Sequence, residues 1–466
     1  MPLISLKFAI FVLASLLIYY LLPGKLQNSF LLLASYYFYV SWSWQFALIL
    51  LALTVFNFFY AQHLQRCQTH KRAILWLGVA ANLAFFLFFL LGSGLGDLIR
   101  RFGLTSFEVA VLLPLGFGYH VLESISYLVD ISLRLGKPST NFIDFTLFLA
   151  YFPKLISGPI ERARKFLPQL SQKRVVDNQV LARSLMLIVI GLLRSTVLAG
   201  MITVLVPASV IQDPLEHTGF QLMMGLLGFA FYLYNQFAGY TDLVRGVSGL
   251  FGIELTRNFA QPIFSKDFSD FWQRWHISLS QWLRDYIYMP LSRALLRRNP
   301  TRSNKANLIL PPLATMFASG LWHGGSPNLL AWGILNGLYV VIENFINLFR
   351  HSAPNAKRPL WRAVLGGLVL LGLALFAAIP FKLTLGHSRI LLGQMLFAWG
   401  WQMPDLLVLA VMLASVVLDW LQFRRNDEFV FLGWPRSLQA LAAVLAVFAV
   451  VIVYQLQNAP ATFVYP

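Results

Sequence analysis

Three of the eight histidines lie in apolar or aromatic surroundings, where an ionisable side chain is costly and marks a candidate functional site. They are His120, His276 and His323. His323 ends an apolar run, follows Trp322 and precedes two glycines, which let backbone or ligand come close. Imidazole can take a proton from a hydroxyl near neutral pH, and burial keeps it neutral and basic. The sequence therefore predicts a general base at His323, with a structural histidine as the alternative.

Other catalytic chemistries lack their usual residue patterns. The chain has no Gly-x-Ser-x-Gly turn, no Walker phosphate loop and no His-Glu-x-x-His pair. No cluster of histidine, aspartate and glutamate has the spacing of metal ligands, so no metal is predicted. Cys67 is the only cysteine, which excludes an intrachain disulfide. Hydrolase, ATPase and metalloenzyme functions are therefore not indicated.

The segment around His276 has the pattern of an amphipathic helix. At about 100° per residue, residues 271–286 place Trp275 and Trp282 on one stripe and Arg274 and Asp285 on the opposite side. Tryptophan favours the membrane interface, where its ring and its N–H group are both satisfied. We therefore expect one continuous helix along or just inside the interface, with His276 at the edge of its aromatic stripe.

The composition indicates that most of the chain is embedded in a lipid bilayer. Of 466 residues, 58% are hydrophobic and 12% charged, and the mean hydropathy is +0.66. Crossing a bilayer takes about 20 apolar residues in a helix. Such runs predict roughly ten to twelve crossings, near residues 8–22, 29–41, 45–61, 73–92, 107–129, 183–206, 219–237, 307–322, 329–349, 363–380, 404–421 and 437–455.

The net charge of +17 does not indicate nucleic-acid binding, because the cations form short clusters between apolar runs. Such clusters are typical of cytoplasmic loops. They are expected to mark the inner face, as at Arg162, Arg164, Lys165, Arg293, Arg297 and Arg298.

Several stretches interrupt the spanning pattern with proline, glycine or polar side chains. Residues 113–120, 142–160 and 324–328 are expected to be irregular and to line a cavity, since unpaired backbone is tolerated in a membrane only beside protein or water. Residues 232–242 form an apolar helical pattern that carries Tyr, Asn, Gln and Asp242. That helix is expected either to bond to neighbouring helices or to line the cavity.

Five segments together resemble the membrane-bound O-acyltransferase family, in its bacterial branch of alginate O-acetylases, peptidoglycan O-acetylation proteins and teichoic acid D-alanyl transferases. They are LGFGYHVLESISYLVD (115–130), YFPKLISGPIERARKFLPQL (151–170), YLYNQFAGYTD (232–242), FWQRWHISLSQWLRDYIYMPL (271–291) and GLWHGGSPNLLAWGILNGL (320–338). Where family members often carry glutamine, this chain has Glu123 and Lys154. It also has Gln236 and Asn336 where an acidic residue and a histidine are frequent, so no family role is assigned to these four positions.

The resemblance implies that His323 is the catalytic histidine and that His276, the second motif histidine, positions or polarises a substrate. Five further positions are expected to bind substrate: Trp322, Asn328, Trp275, Arg274 and Asp242. The resemblance also implies an all-α polytopic membrane fold, a ring of helices with re-entrant and interfacial segments around a tunnel. The whole chain, 1–466, is expected to form one domain, with the motifs in a core of about 107–349.

The function that the resemblance implies is O-acetylation of a cell-envelope polysaccharide from the bacterial inner membrane. Acetyl-CoA is the expected donor, no bound cofactor is expected, and the acceptor is either the polysaccharide or a serine on a periplasmic partner. One alternative is D-alanyl transfer from a carrier protein to teichoic acid. Another is a transporter, since buried polar residues and broken helices also describe transport pathways; the paired Trp-His motifs argue against it.

Overall fold

The computed structural model describes residues 1–67, 69–92, 113–172, 174, 177–301, 303–349 and 360–458, and these contain helices and turns but no strand. Apolar runs become helices because backbone groups in lipid must be paired within their own segment. The predicted all-α polytopic membrane fold is confirmed. Residues 107–112 of one predicted span lie outside this description.

The chain divides into two compact units, the first formed by Met1–Leu185 and Val244–Thr256. Its described helices are α1 (Leu6–Leu21), α2 (Gly24–Val40), α3 (Trp44–Arg66), α4 (Lys71–Leu90), α5 (Phe117–Ser132), α6 (Phe142–Ala150) and α7 (Ala163–Ser171). The predicted single domain stays a prediction.

The second unit is formed by Met186–Leu243 and Arg257–Pro466. Two helices, α8 (Asn178–Leu192) and α11 (Gly219–Leu250), contribute residues to both units. The others belong to the second unit: α9 (Ala199–Leu205), α10 (Ser209–Gln212), α12 (Phe268–Arg274), α13 (Ile277–Leu283), α14 (Met289–Arg298), α15 (Lys305–Trp322), α16 (Pro327–Phe349), α17 (Leu360–Lys382), α18 (Leu385–Phe397), α19 (Leu406–Arg425) and α20 (Arg436–Asn458).

Within the described residues, seven helical segments are long and apolar enough to cross a membrane. Large apolar side chains such as Leu13, Leu368 and Phe448 are exposed on helices, as expected for surfaces that contact lipid. The protein is therefore a multi-pass membrane protein. The seven segments are Trp44–Arg66, Lys71–Leu90, Asn178–Leu205, Pro327–Phe349, Leu365–Lys382, Leu406–Arg425 and Arg436–Gln455. The ring and the tunnel stay predictions.

A buried ion pair stabilises the irregular stretch of the first unit. The Lys154 ammonium lies 2.7 and 2.6 Å from the two carboxylate oxygens of Glu123. The Glu161 backbone N–H donates to the same carboxylate at 2.9 Å. Both members of the pair are buried. The opposite charges of Glu123 and Lys154, at positions where family members often carry glutamine, thus compensate each other. The irregular backbone predicted for residues 142–160 is found only from Tyr151 onward, because residues 142–150 form α6.

In the second unit, glycine contacts bring α15 and α16 together. A Cβ atom on Gly333 would lie 2.4 Å from the Met316 carbonyl oxygen, and one on Gly320 would lie 2.6 Å from the Leu329 carbonyl oxygen. No larger residue fits either position without a shift, because the obstructing atoms are backbone. The close packing fixes the loop that joins these two helices, which holds His323.

Candidate active site

His323 directly follows the last residue of α15, at the start of the loop to α16. Its backbone N–H donates to the Ser319 carbonyl at 3.0 Å and so extends the last helical turn. Gly324 and Gly325 then take positive φ values of 139° and 68°, which favour glycine. The Gly325 N–H donates to the Gly320 carbonyl at 3.1 Å. The double glycine thus ends the helix immediately after the histidine.

Aromatic rings surround the imidazole of His323. Its ring centroid lies 4.8 Å from that of Trp322, 5.2 Å from that of Trp332 and 5.4 Å from that of Phe381. All three pairs meet edge to face, and Trp332 also contacts Phe381 at 5.2 Å. His323 itself is only half-buried. The imidazole is therefore held in a fixed, largely apolar setting, and the residue as a whole keeps more exposed surface than His276 does.

His276 is the more deeply buried of the two motif histidines, with 4% of its surface exposed. Its ring lies 4.8 Å from Phe237 and 6.2 Å from Trp322. The Trp322 indole therefore contacts both His276 and His323, although the two histidines are 47 positions apart in the sequence. The structure brings together the two residues that the motifs predict to be catalytic.

The continuous helix predicted for residues 271–286 is wrong. Helix α12 ends at Arg274 and α13 begins at Ile277, with His276 in the left-handed conformation between them (φ 43°, ψ 55°). Asn258 stabilises this break, since its carbonyl accepts from the Ile277 N–H at 2.9 Å and its side-chain oxygen from the Ser278 N–H at 3.1 Å. These bonds come from a distant part of the chain, which a local helical pattern does not include.

Two of the predicted substrate-binding residues lie immediately before His276 and contact other protein groups. Arg274 donates to Asp270 at 2.8 Å and to the Ala260 carbonyl at 3.1 Å. Trp275 stacks on Phe271 with a centroid distance of 5.6 Å. These contacts hold the segment that leads into His276.

The other predicted substrate-binding residues take different positions. Trp322 is the ring shared by the two histidines, as described above. The Asn328 amide donates to the Pro380 carbonyl at 3.0 Å, which fastens the start of α16 to α17 beside Phe381. Asp242 lines a cavity of about 10 Å³ in the second unit, with Arg194 and Tyr234.

His120, the third embedded histidine, belongs to the first unit. It is 1% exposed and packs edge-on against Tyr39 at 6.5 Å. These contacts are those of a structural core residue.

Sequence reasoning missed three aromatic residues at the site, Phe237, Trp332 and Phe381. Trp332 lies within a motif-bearing segment, and its spacing of nine residues from His323 was the available signal. Phe237 lies in the motif-bearing segment 232–242 and Phe381 lies outside all five segments, and both look like ordinary apolar residues of their helices. Only tertiary contact identifies them.

Known proteins are similar to this chain over most of its length. Residues 32–383 match the membrane-bound O-acyltransferase family. The chain is 32% identical over 401 residues to a probable alginate O-acetylase, AlgI, of Pseudomonas aeruginosa, covering 84% of this chain and 73% of that protein. It is 29% identical to a peptidoglycan O-acetyltransferase of Helicobacter pylori, covering 70% of this chain and 67% of that protein. It is 26% identical to a teichoic acid D-alanyltransferase of Bacillus subtilis, covering 57% of this chain and 69% of that protein.

Proposed function

The chain belongs to the membrane-bound O-acyltransferase family, and from that premise we propose that it transfers acetyl groups for the O-acetylation of a cell-envelope polysaccharide. The acetyl donor is acetyl-CoA on the cytoplasmic side of the bacterial inner membrane. The acceptor is an alginate-like polymer or peptidoglycan, reached directly or through a serine on a periplasmic partner. His323 is the general base.

The observation that carries this proposal is the setting of His323. The residue is half-buried, its ring packs against Trp322, Trp332 and Phe381, and its backbone is fixed by the end of α15. A general base must be held in place, must be neutral, and must be reachable by the hydroxyl that it deprotonates. His276 is almost fully buried and does not meet the last condition equally well.

The reaction takes the following course at His323. A ring nitrogen of His323 accepts the proton of the acceptor hydroxyl as its oxygen forms a bond to the thioester carbonyl carbon. The carbon–sulfur bond then breaks, and the departing thiolate takes the proton from the imidazolium. The products are an acetate ester and a free thiol, and the histidine returns to its neutral state.

His276 contributes to the reaction by contacting Trp322 and by helping to position a substrate. Its ring contacts the Trp322 indole on which His323 also packs, so it stabilises the wall beside the base. Correct positioning of two substrates is a large part of the rate of such reactions. We assign His276 to positioning or polarising a substrate, with proton transfer at His323.

The extent of the similarity favours acetyl over D-alanyl transfer. The alginate O-acetylase of Pseudomonas aeruginosa aligns with 84% of this chain, whereas the D-alanyltransferase of Bacillus subtilis aligns with 57%. The names of the more extensively aligned relatives specify alginate and peptidoglycan, which are the acceptors proposed here.

The test replaces the proposed base in cells that produce the protein. His323→Ala should lower the ester-linked acetate of the envelope polysaccharide by at least about hundredfold, because general-base catalysis contributes about 10²–10⁴-fold. Acetate released by mild alkali from purified polysaccharide is the measurement. Immunoblotting of membrane fractions checks that the variant is present in wild-type amounts.

His387→Ala is the matched control, since His387 is exposed and bonds to the Thr384 hydroxyl at 2.9 Å. It should leave the acetate content unchanged. If His323→Ala cells keep acetate near the wild-type amount, another group is the base. If cells without the gene also keep it, the proposed function itself is wrong.

A further inference from the structure

The part of the chain beyond the family match contacts the segment that carries His276. The match to the family model ends at residue 383, whereas α19 and the turn after it lie at 406–428. Three side chains of α19, Asp419, Gln422 and Phe423, contact residues that support His276. Each of the three makes a different kind of contact.

The first contact is a buried ionic one. Asp419 pairs with Arg194, and both side chains are buried. The other carboxylate oxygen of Asp419 accepts from the Tyr234 hydroxyl at 2.7 Å. The Tyr234 ring in turn packs against Trp275 at 6.0 Å and Phe259 at 5.7 Å. Asp419 thus orients a tyrosine that contacts the residue immediately before His276.

The second contact fixes the loop that pairs with the His276 segment. The Gln261 amide donates to the Gln422 side-chain oxygen at 2.9 Å. The same loop bonds to the segment on both sides of His276: Ala260 N–H donates to the Arg274 carbonyl at 3.0 Å, and Ile277 N–H donates to the Asn258 carbonyl at 2.9 Å. Gln422 therefore holds the loop that hydrogen-bonds to the chain on both sides of His276.

The third contact is aromatic. Phe423 stacks on Phe264 with a centroid distance of 4.8 Å, and the Arg274 guanidinium lies 5.5 Å from the Phe423 ring. A guanidinium over an aromatic face is attracted by the ring's electron density. This contact holds the last residue of α12 at the point where the helix ends.

The left-handed backbone of His276 needs such support. A non-glycine residue in the left-handed region is strained and persists only where the surrounding structure over-determines it. We infer that Asp419, Gln422 and Phe423 of α19 are positioning residues that hold His276 in its left-handed conformation against Trp322. Their part in catalysis rests on the proposed function, whereas their part in holding the segment does not.

The experiment compares Tyr234→Phe and Gln422→Met, singly and together, in the full-length purified protein. Tyr234→Phe removes only the hydroxyl that reaches Asp419 and keeps the ring, and Gln422→Met keeps the length of the side chain. Neither leaves an unpaired charge, unlike replacement of Asp419 itself, which would strand Arg194. Leu413→Ala is the matched control, because Leu413 lies on the same helix and is 61% exposed.

The first measurement is amide hydrogen exchange by mass spectrometry, which needs no substrate. In the double variant, peptides covering residues 258–280 should exchange at least about fivefold faster, the effect of losing about 1 kcal/mol of hydrogen bonding. Peptides from α15 and α16 should keep their wild-type exchange, as should every peptide of Leu413→Ala. Unchanged exchange at 258–280 in a double variant that elutes as folded protein overturns the inference.

The second measurement is acetyl transfer per folded molecule. The double variant should lose about tenfold in kcat with KM changed less than about twofold, because misplacement by a fraction of an ångström slows the reacting step. A merely structural role would lower the yield of folded protein and leave kcat per folded molecule unchanged, which contradicts the inference. If the wild-type protein transfers no acetyl group while exchange at 258–280 still responds, the proposed function fails and the positioning role stands.

Discussion

The two motif histidines differ most in accessibility. His276 is 4% exposed and takes a left-handed backbone conformation, whereas His323 is half-buried in an ordinary helical conformation. Both contact Trp322. Because His323 keeps more exposed surface than His276, the proposed proton-accepting role goes to His323 and the proposed supporting role to His276.

Phe381 and Trp332 form two of the walls around His323, which predicts a role in selecting the acyl group. Replacing Phe381 by alanine opens space beside the imidazole. Phe381→Ala should raise the ratio of butyryl to acetyl transfer by about tenfold or more, since each methylene excluded by a pocket wall is worth about 10–200-fold. Transfer from acetyl-CoA and butyryl-CoA by purified protein gives this ratio.

The control for Phe381→Ala is Phe376→Ala, on the same helix at a position that is 44% exposed. It removes the same atoms away from the site and should leave the ratio unchanged. An unchanged ratio in Phe381→Ala as well would mean that this wall does not limit the acyl chain.

At the scale of elements, the helical hairpin of α15 and α16 determines where His323 lies. Gly320 and Gly333 bring the two backbones into contact, and the double glycine at 324–325 closes the loop between them. Because Trp332 directly precedes Gly333, the same contact also sets one wall of the site. A change in the distance between these helices therefore changes the geometry around the imidazole.

Gly333→Ala tests this dependence. Its Cβ atom would lie 2.4 Å from the Met316 carbonyl oxygen, so the helices must separate. Overpacking of this kind costs about 1–3 kcal/mol, and the variant should show a lower unfolding temperature in detergent together with lower acetyl transfer.

Gly372→Ala is the companion variant, since nothing lies within 4 Å of a Cβ atom at that position. It should unfold at the wild-type temperature or slightly above, because alanine favours helix over glycine. Equal unfolding temperatures for the two variants would contradict the close-packing account.

At the scale of the whole molecule, charge is expected to set the orientation in the membrane. Arg164 and Lys165 are exposed shortly before the span Asn178–Leu205. Under the positive-inside bias this pair is expected to face the cytoplasm. The connection after Leu205, which includes Glu216, is then expected on the outer side.

The single cysteine makes this orientation testable. In a Cys67→Ser background, Lys165→Cys should react with a membrane-impermeant maleimide only after cells are permeabilised. Glu216→Cys should react in intact cells, because the span Asn178–Leu205 separates it from Lys165. The opposite pattern would reverse the orientation and would place the proposed donor on the wrong side.

The sequence by itself was enough to predict that most of the chain lies in lipid, where most of its helices lie, and which two histidines belong to the candidate site. Continuous apolar runs predicted spans whose described helices begin and end within a few residues of expectation over most of the chain, because lipid requires each segment to pair its own backbone. It did not predict α18 (Leu385–Phe397), whose short and mixed pattern resembles a polar connection. His276 and His323 were recognised from their motifs and from their apolar surroundings.

Only the tertiary structure shows which residues surround and support the two histidines. The break at His276 depends on hydrogen bonds from Asn258, the walls of His323 include Phe381, and the support of the His276 segment comes from α19. Helical periodicity describes which face of one segment is buried, and it contains no information about which distant segment covers that face. Contacts between residues separated by tens to hundreds of positions therefore had to come from the folded chain.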